Sequence, residues 1–301
     1  MTFQIVVITG RSNNMSSIII NGKEIGQEIR TGVAARVQVL KAKGITPGLA
    51  VILVGDNPAS KTYVANKQKS CEQIGMFSDL IKLPEDISEQ ALLQQIRELN
   101  NRKDIHGILV QLPLPKHIDE DKVIQTISPE KDVDGFSPIS VGKMMLGQDT
   151  YLPCTPYGVM KLLEHSGIDV AGKHAVIVGR SHIVGKPMGQ LLLQKDATVT
   201  YTHSKTPDLP SFTKQADILI AAVGRANFIT SEHIKEGAVI IDVGINRDEE
   251  NHLCGDVNFD DVQGIASHIT PVPGGVGPMT ITMLLENTVQ AAEKELERQA
   301  E

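Results

Sequence analysis

The chain has 301 residues, 41% hydrophobic and 22% charged, the length of about two domains with the composition of an ordinary soluble globular protein. A net charge of −7, few aromatics and no Trp exclude the basic footprint and stacking platform that bind nucleic acid. Cys71, Cys154 and Cys254 are odd in number and lack zinc spacing, which fits a reducing compartment, and no apolar run approaches a membrane span.

Residues 1–14 read as an extension outside the fold. Phe3–Ile8 is apolar but short, with no basic residue before it, a poor signal peptide. No acidic residue precedes Glu24, a faint transit-peptide feature, but Arg11 is the sole Arg there, so the expected compartment is cytoplasmic with a mitochondrial alternative. Met15 is an alternative start.

Residues 18–20 form a short apolar strand before an Asn21–Gly22 turn. Ile25, Ile29, Val33, Val37 and Leu40 recur at helical spacing, and Gly44 stops that helix. Leu49–Val54 is a buried strand, and a helix over 60–74 follows, with Ser60 as its N-cap and Gly75 at its C′ position. A strand over 78–83, a helix from Ser88 to Asn100 and a strand over 105–112 complete an alternating pattern, which implies parallel pairing. Residues 128–157 are loop-rich and hold the domain boundary; a linking helix runs from Tyr157 to His165. Strands follow over 173–178, 198–202, 218–223 and 238–243, and a last helix over 281–298. Because Leu284, Leu285, Thr288 and Ala291 share one side of it directly after a glycine-rich loop, that helix is expected to cross back to the first domain.

Several residues carry chemistry. Tyr63 and Lys67 are four apart, one turn on a helix face, just beyond the carboxyl end of a strand, where open α/β sheets place ligands. The structural alternative is a solvated face. Gln111 ends the next strand, where an amide can hold an amine or simply meet water. Asp134–Gly135 is either turn chemistry or a carboxylate for a heterocycle with paired N–H donors. Gly179-x-Ser181-x-x-x-Gly185 stands where a dinucleotide fingerprint belongs, between a strand and a helix, but Ser181 replaces the second glycine and the last glycine comes one residue late. The following strand ends Tyr201-Thr-His203-Ser204-Lys205 without the carboxylate that binds a ribose hydroxyl. Arg180 and Ser204 therefore favour a 2′-phosphate, and NADP over NAD. Pro273-Gly-Gly-Val-Gly-Pro278 is a stiff loop whose bare backbone can approach a ligand.

Together, Tyr63-x-x-x-Lys67, Gln111-Leu-Pro-Leu114, Asp132-Val-Asp134-Gly135, Gly179-Arg-Ser181 with Val184-Gly185, and Pro273-Gly-Gly-Val-Gly-Pro-Met-Thr280 resemble the bifunctional methylenetetrahydrofolate dehydrogenase/methenyltetrahydrofolate cyclohydrolase family over about residues 18–298. The broken fingerprint is that family's usual form. The resemblance implies two α/β domains with the active-site cleft between them. The first is a three-layer folate-binding domain of residues 15–156 plus 281–301, and the second is a Rossmann-type NADP domain of residues 157–280. The resemblance implies these two domains alone, without the formate–ligase domain fused in some relatives. The implied activity is NADP-dependent oxidation of 5,10-methylenetetrahydrofolate and hydrolysis of the methenyl product to 10-formyltetrahydrofolate, in one-carbon metabolism and purine biosynthesis. Lys67 is the implied acid–base group, its pKa lowered by burial. Gln111 orients it, Tyr63 packs on or bonds the folate, and Asp134 takes the pterin amino edge. Val110 and Leu112 flank the substrate, while Pro273, Gly274, Gly275, Val276 and Gly277 cover it. Gly179, Arg180, Ser181, Ser204 and Ile245 hold NADP. No metal is required, and a homodimer is implied.

Tyr-x-x-x-Lys also occurs in short-chain dehydrogenases, but there the glycine fingerprint comes first. A non-catalytic folate or NADP sensor on the same fold, or a dehydrogenase without the hydrolase activity, would have no use for Lys67 and Gln111.

Overall fold

The computed structural model describes residues 16–300, so the readings of residues 1–14 and Met15 lie outside the described residues. β1 (Ile18–Ile19) runs into α1 (Gly22–Ala42), and the expected Asn21 turn is this helix's N-cap, its side chain accepting the Lys23 and Glu24 backbone N–H groups. Gly44, at φ +84°, follows the helix end. All seven residues of β2 (Gly48–Val54) are buried, as in a parallel strand covered on both faces. α2 (Pro58–Ile74) starts earlier than expected: Asn57 Oδ1 accepts the Ser60 N–H at 3.1 Å, so Asn57 and not Ser60 caps it. Pro58 opens the helix, where its missing N–H is not needed. Then come β3 (Phe77–Leu83), α3 (Glu89–Asn101) with Ser88 capping Ala91 N–H, β4 (Gly107–Val110) and α4 (Glu120–Thr126).

The passage 128–157, read as loop, holds α5 (Pro138–Met145), capped by Ser137. α6 (Cys154–His165) begins before the expected Tyr157 because Pro156 sits in its first turn. β5 (His174–Val178), α7 (Gly185–Leu193), β6 (Thr198–Thr202), α8 (Leu209–Thr213), β7 (Ile218–Ala221) and β8 (Val239–Asp242) alternate. β9 (Asn246–Arg247), β10 (Leu253–Cys254), α9 (Phe259–Val262) and β11 (His268–Ile269) lead to α10 (Val276–Ala300). Val276 and Gly277, expected in the ligand loop, are thus the first turn of α10, where Pro278 is tolerated.

Two parallel sheets result, in the orders β3-β2-β4 and β1-β11-β8-β7-β5-β6, with β9 and β10 as a separate antiparallel pair. The N-terminal strand, expected in the first domain, pairs with β11 and lends itself to the second sheet. It is only two residues long and, among the described residues, pairs with β11 alone, so backbone pairing decides its place. One face of the first sheet packs Ile52 and Ile108 on Leu92 and Ile96 of α3. The opposite face shares a single apolar cluster with α1, α2, α6, α10 and one face of the second sheet, from Val51 through Leu284 and Leu162 to Ile177. α10 packs on both α1 and α6 and places Leu284, Leu285 and Val289 in that cluster. No helix among the described residues is long and apolar enough to cross a membrane.

Candidate active site

In the first sheet the chain passes from β2 to β3 on one side and then to β4 on the other. Such a switch point opens a crevice at the carboxyl ends of the strands. α2 leaves β2 here, and Gln111 follows β4, its N–H bonded to Ile52 O at 2.9 Å. The two segments meet in one contact: Lys67 Nζ donates to Gln111 Oε1 at 3.0 Å. Gln111 Nε2 donates to Leu112 O at 2.7 Å, which sets the direction of the amide. Lys67 is only 8% exposed, and burial lowers its pKa, opposed by the nearby Asp134 carboxylate. Burial raises the pKa of Asp134, opposed in turn by Lys67. Tyr63, one turn earlier, is 38% exposed, so the phenol stands at the mouth and the amine at the base. Val110 is buried beside Gln111, and Leu112 is half-buried.

Asp134 is held by residues the motif only partly announced. Asp132, buried just before it, accepts Phe136 N–H, Ser137 N–H and Ser140 Oγ–H at 3.2, 2.8 and 2.7 Å. Gly135 turns at φ +72°, and a Cβ there would lie 2.7 Å from Tyr151 O. Asn287 of α10 donates to Val133 O and Leu152 O at 2.8 and 3.0 Å, and the Cys154 thiol donates to Val133 O at 3.3 Å. Asn287 went unnoticed in the sequence because a lone Asn on a helix carries no signal of its partners. The glycine-rich loop lies on the start of α1: Lys23 N–H donates to Gly274 O at 3.1 Å, and a Cβ on Gly22 would fall 1.8 Å from Gly275 O. Pro273 is exposed, Gly275 and Val276 are buried, and Gly277 faces Ile245 of the second lobe.

The second sheet has its own switch point, between β5 and β7. A Cβ on Gly179 would lie 2.2 Å from Ala222 O, and one on Gly185 2.5 Å from Gly179 O, so bare backbone lines the turn. Ser181 Oγ accepts Val184 and Gly185 N–H, both at 3.2 Å. The hydroxyl therefore serves the start of α7, which accounts for a serine where the fingerprint has glycine. Arg180 is exposed, and Gly179 N–H bonds Thr202 O at 2.9 Å, which sets Arg180 beside the His203–Ser204 turn. A cavity of about 900 Å³ opens there, lined by Arg180, Ile183, Tyr201 and His203 from this lobe and by Phe136 and Met144 from the other. Lys67 does not line it. Ile183 and His203 received no role from the sequence, His203 being read only as part of a strand end. The glycine cradle, the start of α7 and an exposed Arg at a strand end without a carboxylate fit a phosphorylated dinucleotide.

Sequence comparison decides the family. Residues 20–134 match the catalytic domain of tetrahydrofolate dehydrogenase/cyclohydrolase, and residues 153–296 match its NAD(P)-binding domain. The chain belongs to the tetrahydrofolate dehydrogenase/cyclohydrolase family. It is 82% identical over 282 residues to a bifunctional protein FolD of Lysinibacillus sphaericus, covering 94% of this chain and 99% of that one. Among solved structures, the bifunctional FolD methylenetetrahydrofolate dehydrogenase/cyclohydrolase of Campylobacter jejuni superposes with a TM-score of 0.92 at 52% identity, covering 93% of this chain and all (100%) of that one. The Trypanosoma brucei FolD, complexed with NADP cofactor and inhibitor, gives 0.90 at 38% identity, covering 93% and 99%. The two domains of this family thus correspond to the two sheets with their two switch points.

Proposed function

We propose that this chain oxidises 5,10-methylenetetrahydrofolate to the methenyl form with NADP⁺ and hydrolyses the methenyl form to 10-formyltetrahydrofolate, a one-carbon donor for purine biosynthesis. The observation that carries the reading is the buried Lys67 amine bonded to Gln111 at a sheet switch point, in a chain of this family. When bound, NADP⁺ supplies the hydride acceptor. The protein's part in that step is placement: Tyr63 at the mouth packs on the folate, Asp134 takes the pterin amino edge, and Pro273–Gly277 with Val110 and Leu112 enclose it. Arg180 and Ser204 take the 2′-phosphate, and Gly179, Ser181 and Ile245 border the rest of the dinucleotide.

Hydrolysis needs a base and then an acid at one place. Neutral Lys67 takes a proton from the water that adds to the methenyl carbon. The resulting ammonium returns a proton to the ring nitrogen as the carbon–nitrogen bond breaks and the remaining hydroxyl proton passes to solvent, which leaves the formyl group on the other nitrogen. Burial keeps the amine within reach of its neutral form, and Gln111 aims it.

The division we propose assigns residues 157–280 to the cofactor domain and residues 15–156 with 281–301 to the folate domain, with β1 lent to the cofactor sheet. Cytoplasmic residence and a homodimer complete the reading and rest on the family resemblance. The test is spectrophotometric: purified protein, methylenetetrahydrofolate and NADP⁺ should produce a transient methenyl absorbance and NADPH. Absence of both products overturns the reading.

A further inference from the structure

The carboxyl ends of β5 and β7 touch where Gly179 abuts Ala222. The next segment, Val223–Arg225, leaves β7 with Gly224 at φ +68°, and its three successive N–H groups converge on one carboxylate. Asp256 Oδ2 accepts Val223 and Gly224 N–H at 2.6 and 3.1 Å, and Oδ1 accepts Arg225 N–H at 2.9 Å. Oδ1 also accepts Asn246 Nδ2 at 2.8 Å, and Asn246 is the neighbour of Ile245, which reaches Gly277 of the substrate loop. Asp256 is fully buried, at 0% exposure. Beneath it, Asp242 at the end of β8 accepts the N–H groups of Gly244, Asp256 and Val257, each at 2.9 Å, and so holds the Asp256 backbone. The space is filled: a Cβ on Gly244 would lie 2.3 Å from Asp256 Oδ1, and one on Gly255 1.8 Å from Asp242 Oδ2.

One buried carboxylate thus ties together two loops that follow neighbouring strands, one beyond the carboxyl end of β7 at the switch point and one beyond the carboxyl end of β8. Backbone N–H groups facing a buried carboxylate are strong, directional contacts, and all three of these point to Asp256. We infer that Asp256 is a positioning residue for the dinucleotide: it shapes the 223–225 and 245–246 loops into the walls of the cofactor crevice. It acts through the backbone of Val223–Arg225 and the Asn246 amide, and its recorded partners do not include Lys67. The inference rests on the cofactor assignment proposed above.

The test reads NADP⁺ binding by titration calorimetry on the full chain, with methenyltetrahydrofolate hydrolysis, which consumes no dinucleotide, measured on the same preparation. Asp256→Asn keeps the shape but turns one accepting oxygen into an NH₂ group facing N–H donors. The dissociation constant for NADP⁺ should rise about ten-fold or more, while hydrolysis stays within about two-fold. Unchanged NADP⁺ affinity, or a parallel loss of binding and hydrolysis, overturns the inference. If Asp256→Asn does not fold, Asn246→Ala decides: it removes one donor at a half-buried position, and it should weaken NADP⁺ binding about three- to ten-fold with hydrolysis intact. Unchanged binding in that variant is equally fatal. A wild-type chain that binds no NADP⁺ would instead sink the cofactor assignment itself, a separate result.

Discussion

Each lobe uses the same local topology, a strand whose next two neighbours lie on opposite sides of it, β2 with β3 and β4, and β5 with β6 and β7. The two crevices are nevertheless built from different materials. At the first, the side chains proposed for the chemistry are drawn into the interior: Lys67, 8% exposed, and Gln111 beside it. At the second, the turn is bare backbone from Gly179 to Gly185, and its charged side chain, Arg180, is in solvent. A proton-transfer group must be desolvated to be tuned, whereas a phosphate is met by a cradle of N–H groups and an exposed cation. The shared topology supplies a place, and the burial of what stands there decides which chemistry it suits.

The sharpest way to break this contrast is Lys67→Met, which keeps the length and removes the amine. Methenyl hydrolysis should fall about a hundred- to ten-thousand-fold while part of the NADP⁺-dependent oxidation survives. Both half-reactions are to be measured on one preparation, with methenyltetrahydrofolate supplied directly for the second. Hydrolysis near the wild-type rate would remove Lys67 from the mechanism. The pH profile sharpens the same point. Burial lowers the Lys67 pKa, and the base is the neutral amine, so hydrolysis should rise with pH and level off below the ordinary lysine range. A flat profile in the wild type contradicts the assignment.

At the second crevice the effect should be smaller because Arg180 is exposed. Arg180→Ala should weaken NADP⁺ binding about ten- to a hundred-fold and leave NAD⁺ binding nearly unchanged. Equal losses with both cofactors would show that Arg180 does not read the 2′-phosphate.

The last prediction concerns the seam between the lobes. Gly22→Ala would drive a Cβ to 1.8 Å from Gly275 O, so the start of α1 or the 273–277 loop has to move. Stability should drop by about 1–3 kcal/mol, read from denaturant midpoints, and both activities should weaken together because the loop adjoins both crevices. An unaltered midpoint with unaltered kinetics would mean that the loop is not braced on α1.

Much of this was legible along the chain. Apolar runs located β2, β4, β5, β7 and β8 within a few residues, and strand-end positions singled out Lys67, Gln111 and the Gly179 turn. Errors fell where short-range signals compete. Asn57 and Ser60 are both good caps, and only the position of Pro58 favours Asn57. Prolines in first turns disguised the starts of α5, α6 and α10 as loop.

The sequence by itself determined where the longer helices and the main strands run, because periodicity, caps and glycine turns act over a few residues, while short elements such as α4, α5, α8 and α9 carried too little periodicity to be seen. It also placed an amine, an amide and a glycine turn at strand ends. Tertiary structure alone decided that β4 lies beside β2, which brings Gln111 within 3.0 Å of Lys67. It alone decided that β1 joins the second sheet, and that Asp256 serves Val223–Arg225, more than thirty residues away in the chain for each contact but one to Asn246. Such pairings follow from the need to satisfy every buried polar group, and which distant donor meets which acceptor is settled only when the sheets have assembled.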